Sequence, residues 1–216
     1  MSTSCLDNTK EYIKKATDID LIFITGKIGS GKDTAADYLQ NKFNFKKLRY
    51  GDIIKEILTS NGWDGKKDIK GRQLMLDVGA AFRKWDENIF VKQMVCLTIN
   101  SIANEYNNPT KISSKFNKKR IVISDVRLLN EIVYYLELLE KEVRSIKYVS
   151  IKMLGSNYNN CREIDEVIIN DPTEISLDGY ETDYFILNDQ FTKLESIYEN
   201  LDLIIKTEFG YQKCIY

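Results

Sequence analysis

The sequence predicts an α/β protein in which a parallel β-sheet of about five strands is covered by helices on both faces. Three observations support this fold class. Short apolar runs rich in β-branched residues recur along the chain, helical patterns of ordinary length separate them, and the first apolar run leads into a glycine-rich turn. Strands that alternate with such helices favour βαβ units with right-handed crossovers, and short, fully apolar strands are typical of parallel sheets.

The predicted strands are short and mostly apolar. They are the segments 21–25 (LIFIT), 45–50 (FKKLRY), 120–124 (RIVIS), 146–153 (IKYVSIKM) and 184–188 (YFILN). Apolar residues at helical spacing predict helices between them. These cover residues 33–43, 52–60, two pieces between 72 and 106 that are broken near 86–88, 128–141, and a closing helix that ends near 205.

The chain of 216 residues is long enough for one domain whose core needs no disulfide or structural metal. We therefore expect a single domain over residues 1–216. Its polar parts are an N-terminal extension, an exposed loop, a polar connection and a long flap-like segment, predicted at 1–19, 61–71, 107–119 and 155–183.

Composition excludes several classes of function. The 31 basic and 32 acidic residues nearly cancel, so no overall field would draw the chain onto nucleic acid or an anionic membrane. There is no histidine, which removes serine and cysteine nucleophile systems that depend on histidine and every histidine-ligated metal site. Any chemistry must use carboxylates, lysine, arginine, backbone dipoles and a weakly held Mg²⁺.

The four cysteines are scattered and show no paired spacing of a zinc or redox site, which fits free thiols in a reducing compartment. No segment reaches the roughly 20 apolar residues of a membrane span, and the N-terminus has no apolar core of signal-peptide length. We expect a cytoplasmic protein, in the host cytoplasm if the gene is viral. A homodimer through the helix 88–106 remains open.

The glycine-rich turn has the spacing of a phosphate-binding loop. Gly26 and Gly31 enclose four residues, Lys32 follows, and the whole lies between a predicted strand and a predicted helix. Backbone N–H groups of such a loop point at phosphate oxygens, the helix directs its positive end at them, and the lysine adds a full charge. The candidate donor-binding residues are Gly26, Lys27, Gly29, Ser30, Gly31, Lys32, Asp33 and Thr34.

The residue after Lys32 is Asp33, where a hydroxyl ligand for Mg²⁺ is usual, and Thr34 stands one position later. A carboxylate is also a good Mg²⁺ ligand, directly or through water. Asp33 could equally serve only to complement the helix dipole. Both interpretations are open, so Asp33 and Thr34 are alternative metal ligands.

A second group of candidates follows the apolar run 120–124. Ligands bind outside the carboxyl ends of the strands in open parallel sheets, so Asp125 and Arg127 should face the same crevice as the loop. Asp125 could hold hydrated Mg²⁺ or orient the attacking oxygen, and Arg127 could clamp phosphate oxygens. The alternative is a helix-capping acid beside a surface arginine.

Several segments together resemble one enzyme family. They are GKIGSGKDT at 26–34, YGDIIKEIL at 50–58, GRQLMLDVGAAFRKWDENIFVKQMV at 71–95, VISDVRLLNE at 122–131 and TEISLDGYETDYFILNDQFTKLESIY at 173–198. In this order they resemble the deoxynucleoside monophosphate kinases of large DNA phages and related viruses. The resemblance implies a P-loop NTPase fold of the nucleoside monophosphate kinase type with a flap. It also implies transfer of the γ-phosphoryl group of ATP, with Mg²⁺, to a deoxynucleotide.

The resemblance further assigns roles to residues of this sequence. Lys32, Asp125 and Arg127 would be catalytic, Asp33, Thr34 and Asp125 would hold the metal, and 155–183 would be the flap that closes over the phosphates. The acceptor nucleotide would contact Lys55, Arg72, Gln73, Arg83, Arg162 and Glu174. The chain departs from the family pattern at Ile53, which replaces a proline before Lys55, and at Asp171 and Pro172, where a histidine often precedes the acid.

Two other functions remain as alternatives. A phosphomevalonate kinase could use the same loop and differ in the residues that bind the acceptor. A nucleotide-binding regulator without turnover is also possible, although the guanine-reading Asn-Lys-x-Asp pattern of GTPases is absent. The Asp-Arg-Tyr or Asp-Arg-His triplet of thymidylate kinases is absent as well.

Overall fold

The structure is a computed structural model, and it describes residues 17–106, 118–155, 171–189 and 191–211. Its centre is a sheet of five parallel strands: β1 (Asp18–Thr25), β2 (Lys46–Leu48), β3 (Lys119–Val126), β4 (Ser145–Leu154) and β5 (Tyr184–Leu187). Their spatial order is β2-β3-β1-β4-β5. The predicted parallel five-stranded sheet is confirmed.

Helices connect the strands. They are α1 (Lys32–Phe43), α2 (Tyr50–Ser60), α3 (Ile69–Trp85), α4 (Ile89–Tyr106), α5 (Val133–Leu139), the single turn α6 (Pro172–Ile175) and α7 (Leu194–Phe209), with a 3-10 turn at Leu129–Glu131. The predicted break near 86–88 is confirmed, because α3 ends at Trp85 and α4 begins at Ile89. None of the helices in the described ranges is both long and apolar enough to cross a bilayer.

Two apolar cores cover the two faces of the sheet. On one face, α2, α4 and α5 pack against alternate residues of β1 and β3 such as Leu21, Phe23 and Ile121. On the other face, α1 and α7 pack against Ile22 and Ile24 of β1 and against residues of β4 and β5. The alternation along β1 places successive side chains in opposite cores, which is why residues 21–24 (LIFI) form an uninterrupted apolar run.

Several predicted boundaries differ from the structure. The strand predicted at 45–50 covers only 46–48, because Tyr50 already begins α2. The loop predicted at 61–71 ends early, since the Asp68 side chain accepts the N–H of Gly71 and caps α3. The helix predicted at 128–141 is a 3-10 turn followed by a short α-helix.

The predicted N-terminal extension and the flap-like segment both include residues that the structure describes. β1 begins at Asp18, so the strand starts inside the stretch predicted as the extension 1–19. In the flap-like segment, residues 156–170 lie outside the described ranges. Residues 171–183 pack on the sheet: Leu177 is buried, and the Asp183 carboxylate accepts the backbone N–H and the hydroxyl of Ser150.

Candidate active site

The glycine-rich loop joins β1 to α1 and lies against the ends of β4 and β5. Gly31, the residue before α1, has φ +90°, and a Cβ there would stand 2.4 Å from the Asn188 side-chain nitrogen. Asn188, just after β5, donates to the Ser30 carbonyl at 2.9 Å and so fixes the loop. The Ser30 hydroxyl is buried within the loop, and the described residues give it no hydrogen-bond partner.

The side chain of Lys32 folds back over the loop. Its ammonium group donates to the carbonyl oxygens of Gly26 at 2.5 Å and Lys27 at 2.7 Å. Lys32 also lines a cavity, together with Gly29 and Gly31. The structure therefore places a positive charge and the start of a helix at the same wall of the cavity, which is the arrangement that binds phosphate groups.

Asp33 is bound by two cations from other elements. Its Oδ1 atom lies 2.8 Å from the ammonium of Lys47 in β2 and 3.2 Å from the guanidinium of Arg49. The Ser124 hydroxyl at the end of β3 donates to the same oxygen at 3.4 Å. Burial would raise the pKa of Asp33, but its bonds to Lys47 and Arg49 lower the pKa by more, so the group stays ionised at neutral pH.

The carboxylate of Asp125 caps α2. Its Oδ1 accepts the backbone N–H of Tyr50 and its Oδ2 accepts the N–H of Gly51, both at 2.8 Å. A Cβ on residue 51 would stand 3.1 Å from Oδ2, so glycine allows this close approach. Burial raises the pKa of Asp125, although these two N–H groups and Arg127 oppose the shift. The contacts of Asp125 are therefore those of a helix-capping acid. Binding of Mg²⁺ by Asp125 stays a prediction.

Glu131 organises the turn that carries Arg127. Its Oε2 accepts the backbone N–H of Arg127 at 2.7 Å and of Leu128 at 3.1 Å, and the side chain is buried. Burial raises the pKa of Glu131 to about 7, although the Arg127 N–H lowers it and the nearby Asp125 raises it further. This carboxylate fixes the backbone from which the Arg127 side chain enters the cavity.

One cavity of about 540 Å³ brings these groups together. The loop residues and Asp33 form one end, and Thr34, Ser124 and Asp125 lie beside them. The remaining wall is strongly basic, and its cations are Arg49, Lys67, Arg72, Arg83 and Arg127. A volume of this order is typical of small-molecule sites.

Not all predicted acceptor residues reach the cavity. Arg72 and Arg83 line it, whereas Lys55 packs beside the Gly65 turn and Gln73 donates to Asp77, both outside its wall. Arg162 and the side chain of Glu174 lie outside the described part of the chain, so their predicted roles stay predictions.

The sequence did not predict three of the groups that the structure places here. Arg49 and Lys67 were assigned to a strand and a loop, and Glu131 to the interior of a helix. For Arg49 and Glu131 the only available signal was their position next to or within segments that resemble the kinases, and Lys67 lies outside those segments. Arg49 stands directly before YGD, and Glu131 ends VISDVRLLNE.

A second cavity, of about 480 Å³, lies on the other side of the loop. Lys27 of the loop pairs with Asp178 at 3.3 Å, and Lys152 at the end of β4 donates to the carbonyls of Leu177 at 2.9 Å and Asp178 at 3.0 Å. These contacts attach the segment after α6 to the loop. Arg127 and Thr173 line both cavities.

The oxygen donors beside the loop fit Mg²⁺. Within the described ranges no cluster of three or more carboxylate or cysteine side chains could hold a metal ion. Mg²⁺ does not require such a cluster, because it keeps several waters and takes one or two protein oxygens with the substrate phosphates. Asp33 and Thr34, which line the cavity at the loop, can supply such an oxygen.

A protein-family model described as an AAA domain matches residues 22–138, which is more than half of the chain. The chain belongs to this AAA domain family. The match extends from β1 to α5, so it includes the glycine-rich loop, Asp125 and Arg127. With its five-stranded parallel sheet and the loop between β1 and α1, this AAA domain protein has a P-loop kinase-like fold.

Solved structures with a similar fold are small-molecule kinases. A sugar kinase from Janibacter sp. is 14% identical, with 89% of this chain and 95% of that chain covered and a TM-score of 0.41. Shikimate kinase from Aquifex aeolicus is 13% identical (89% and 99% covered, TM-score 0.42), and dephospho-CoA kinase from Campylobacter jejuni is 15% identical (89% and 98% covered, TM-score 0.46). No curated protein matches the sequence.

Proposed function

We propose that this AAA domain protein is an ATP-dependent deoxynucleoside monophosphate kinase, which transfers the γ-phosphoryl group of ATP to a deoxynucleoside monophosphate and forms the diphosphate and ADP. The observation that carries the proposal is the charge distribution of one cavity. The phosphate loop with Lys32 forms one end, and five lysine and arginine side chains line the rest of the wall together with acidic residues and several apolar ones. A cavity of this kind suits two substrates that both carry phosphate.

The donor half uses groups with a clear physical function. The N–H groups of the loop and the start of α1 attract the ATP phosphates, and Lys32, which bonds loop carbonyls at 2.5 and 2.7 Å, can turn to a phosphate oxygen. Asp33 or Thr34 would hold Mg²⁺, which supplies neutralising charge at the phosphates when it is bound.

The acceptor half would be formed by Arg72 and Arg83, with Arg127 between the two halves. Burial lowers the pKa of Arg83, and the nearby Glu131 opposes that shift. Its guanidinium also lies 5.6 Å from the centre of the Phe90 ring, which holds the side chain in place. Arg127 is presented from the turn that Glu131 fixes, so it can neutralise charge on the phosphoryl group during transfer.

A histidine-free site is sufficient for this reaction. The second pKa of a phosphate monoester lies near 6, so the attacking oxygen is already ionised at neutral pH and no general base is required. The oxygen forms a bond to the γ-phosphorus, and the bond to the β-bridging oxygen of ATP breaks. Catalysis then depends on positioning and on stabilisation of charge, which lysine, arginine and backbone N–H groups provide.

A coupled assay of ADP release tests the proposal. The full chain is incubated with ATP and Mg²⁺ and with each of four deoxynucleoside monophosphates, their ribose forms, and phosphomevalonate. We expect turnover with at least one deoxynucleotide, at a rate well above the release of ADP without acceptor. Turnover with phosphomevalonate alone would reassign the acceptor, and no turnover with any compound would favour a nucleotide-binding regulator.

A further inference from the structure

Asp33 and Arg49 form a direct contact between the two halves of the cavity. Asp33 stands in the first turn of α1 beside Lys32, and its Oδ1 lies 3.2 Å from a terminal nitrogen of Arg49. The other nitrogens of Arg49 donate to Asp52 of α2, at 2.8 Å from Nε and 2.6 Å from the second terminal nitrogen. The ion pairs therefore join the helix of the phosphate loop to the beginning of α2.

Arg49 belongs to the basic wall of the cavity. Arg49, Asp33 and Asp52 all line it, and so does Lys67 from the loop before α3. Burial lowers the pKa of Lys67, and the positive charge of Arg49 in the same cavity wall lowers it further. Two carboxylates occupy the three guanidinium nitrogens of this cation.

We propose that Arg49 is a further residue that binds the acceptor phosphate, and that Asp33 releases it when the phosphate loop is occupied. This inference rests on the proposed kinase function. The polyphosphate of the donor brings negative charge next to Asp33. Asp33, as a candidate Mg²⁺ ligand, would then turn from Arg49 toward the cation that accompanies the donor. Once Arg49 loses this partner, its terminal nitrogen can donate to an acceptor phosphate.

The consequence is a coupling between the two substrates. A donor that releases Arg49 increases the affinity for the acceptor, and linkage requires the acceptor to increase the affinity for the donor by the same factor. The contact itself contributes little to folding, because 62% of the Asp33 side chain is exposed and exposed ion pairs are weak. Variants at position 33 should therefore remain folded, and their affinity for the acceptor can be compared directly with that of the parent protein.

The test is calorimetric titration of the full chain with the best acceptor from the assay panel, with and without a non-hydrolysable ATP analogue and Mg²⁺. In the parent protein the analogue should tighten acceptor binding at least about fivefold. Asp33→Asn keeps the shape and removes the charge, so it should bind the acceptor more tightly than the parent when the analogue is absent. Unchanged affinity of this variant without the analogue overturns the inference, and this measurement does not depend on analogue binding.

Asp37 provides a matched control. It pairs with the same Lys47 at 2.8 Å and is similarly exposed, but it does not line the cavity. Asp37→Asn should behave like the parent in both titrations. If it instead reproduces the effect of Asp33→Asn, the effect comes from the general charge of α1 and the proposed release of Arg49 is wrong.

Arg49→Gln tests whether Arg49 is the cation that Asp33 keeps from the acceptor phosphate. It should weaken acceptor binding, and the double variant with Asp33→Asn should then gain no affinity from the change at position 33. A gain that persists in the double variant contradicts the role of Arg49. A parent protein that binds none of the acceptors contradicts the proposed function itself, whereas acceptor binding that is insensitive to position 33 contradicts only this inference.

Discussion

The ammonium of Lys32 is the charge that the proposed function depends on most directly. Because it enters the cavity at the phosphate loop, Lys32→Ala removes stabilisation of the transferred group, and we expect turnover to fall by at least about 10²-fold. The fold should be unaffected, since the ammonium bonds carbonyl oxygens of the loop itself, those of Gly26 and Lys27. The coupled ADP assay and circular dichroism measure the two effects. Lys46→Ala, an exposed change in β2 outside the cavity, is the control and should retain parental activity.

Glu131 gives the free energy of unfolding a specific dependence on pH. Its pKa is raised by burial from 4.5 to about 7, so the native state holds a proton that the unfolded state loses between these values. The native state is therefore destabilised as pH rises from about 4.5 to about 7. The charged and titratable groups around it are Asp125, Arg127, Arg83 and Tyr50.

Glu131→Gln removes this titration and isolates its effect. We expect the parent protein to lose stability relative to the variant as pH rises through this range, by about 1–3 kcal/mol in total. Urea unfolding of both proteins at several pH values between 4 and 8 measures the difference. A difference that stays constant with pH would show that Glu131 has the same pKa in the folded and unfolded chains.

Single residues of the site were predictable from sequence to different degrees. Gly26, Gly31 and Lys32 follow from spacing alone, because the loop is local and its flanking strand and helix are visible as patterns. Arg49 and Lys67 were missed because they reach the cavity through contacts with residues distant in the chain. Side chains of this kind carry no local pattern that separates them from other surface cations.

At the scale of elements, the attachment of α2 to β3 is the contact that the sequence could not show. Asp125 is the second-to-last residue of β3, yet it caps a helix that begins 75 residues earlier. Local patterns explain the strands and most helices, since each depends on its own periodicity. They misplaced the start of α2, because the first turn of that helix is stabilised by a carboxylate from another element.

The cap of α2 makes a testable contribution to stability. Asp125→Ala leaves the N–H groups of Tyr50 and Gly51 without their acceptor, and we expect the free energy of unfolding to fall by about 1–3 kcal/mol. Urea unfolding measures the loss. Asp125→Asn retains one acceptor oxygen and should lose less, so an equal loss in both variants would indicate that the negative charge, rather than the hydrogen bonds, stabilises the helix.

For the molecule as a whole, the arrangement of the sheet determines where the site can form. The loop after β1 and the turn after β3 leave neighbouring strands at the same edge, so β3 and β1 bring Arg127 beside Lys32. The sequence predicted that the loop and Arg127 face one crevice, because the alternation of strands and helices was clear. It could not predict the basic wall, which requires α2 and α3 to fold back toward that edge.

If one cavity holds both substrates, as the proposed function requires, it should also accept a compound that resembles both. Adenosine joined to a deoxynucleoside through a chain of five or six phosphates would place its ends in the two halves at once. Because the second contact is then intramolecular, we expect this compound to bind at least about 10²-fold more tightly than either substrate. It should also raise the melting temperature more than ATP and the acceptor do separately. Inhibition kinetics provide the decisive measurement: the compound should compete with ATP and with the acceptor, and competition with ATP alone would show that the basic wall does not bind the second nucleotide.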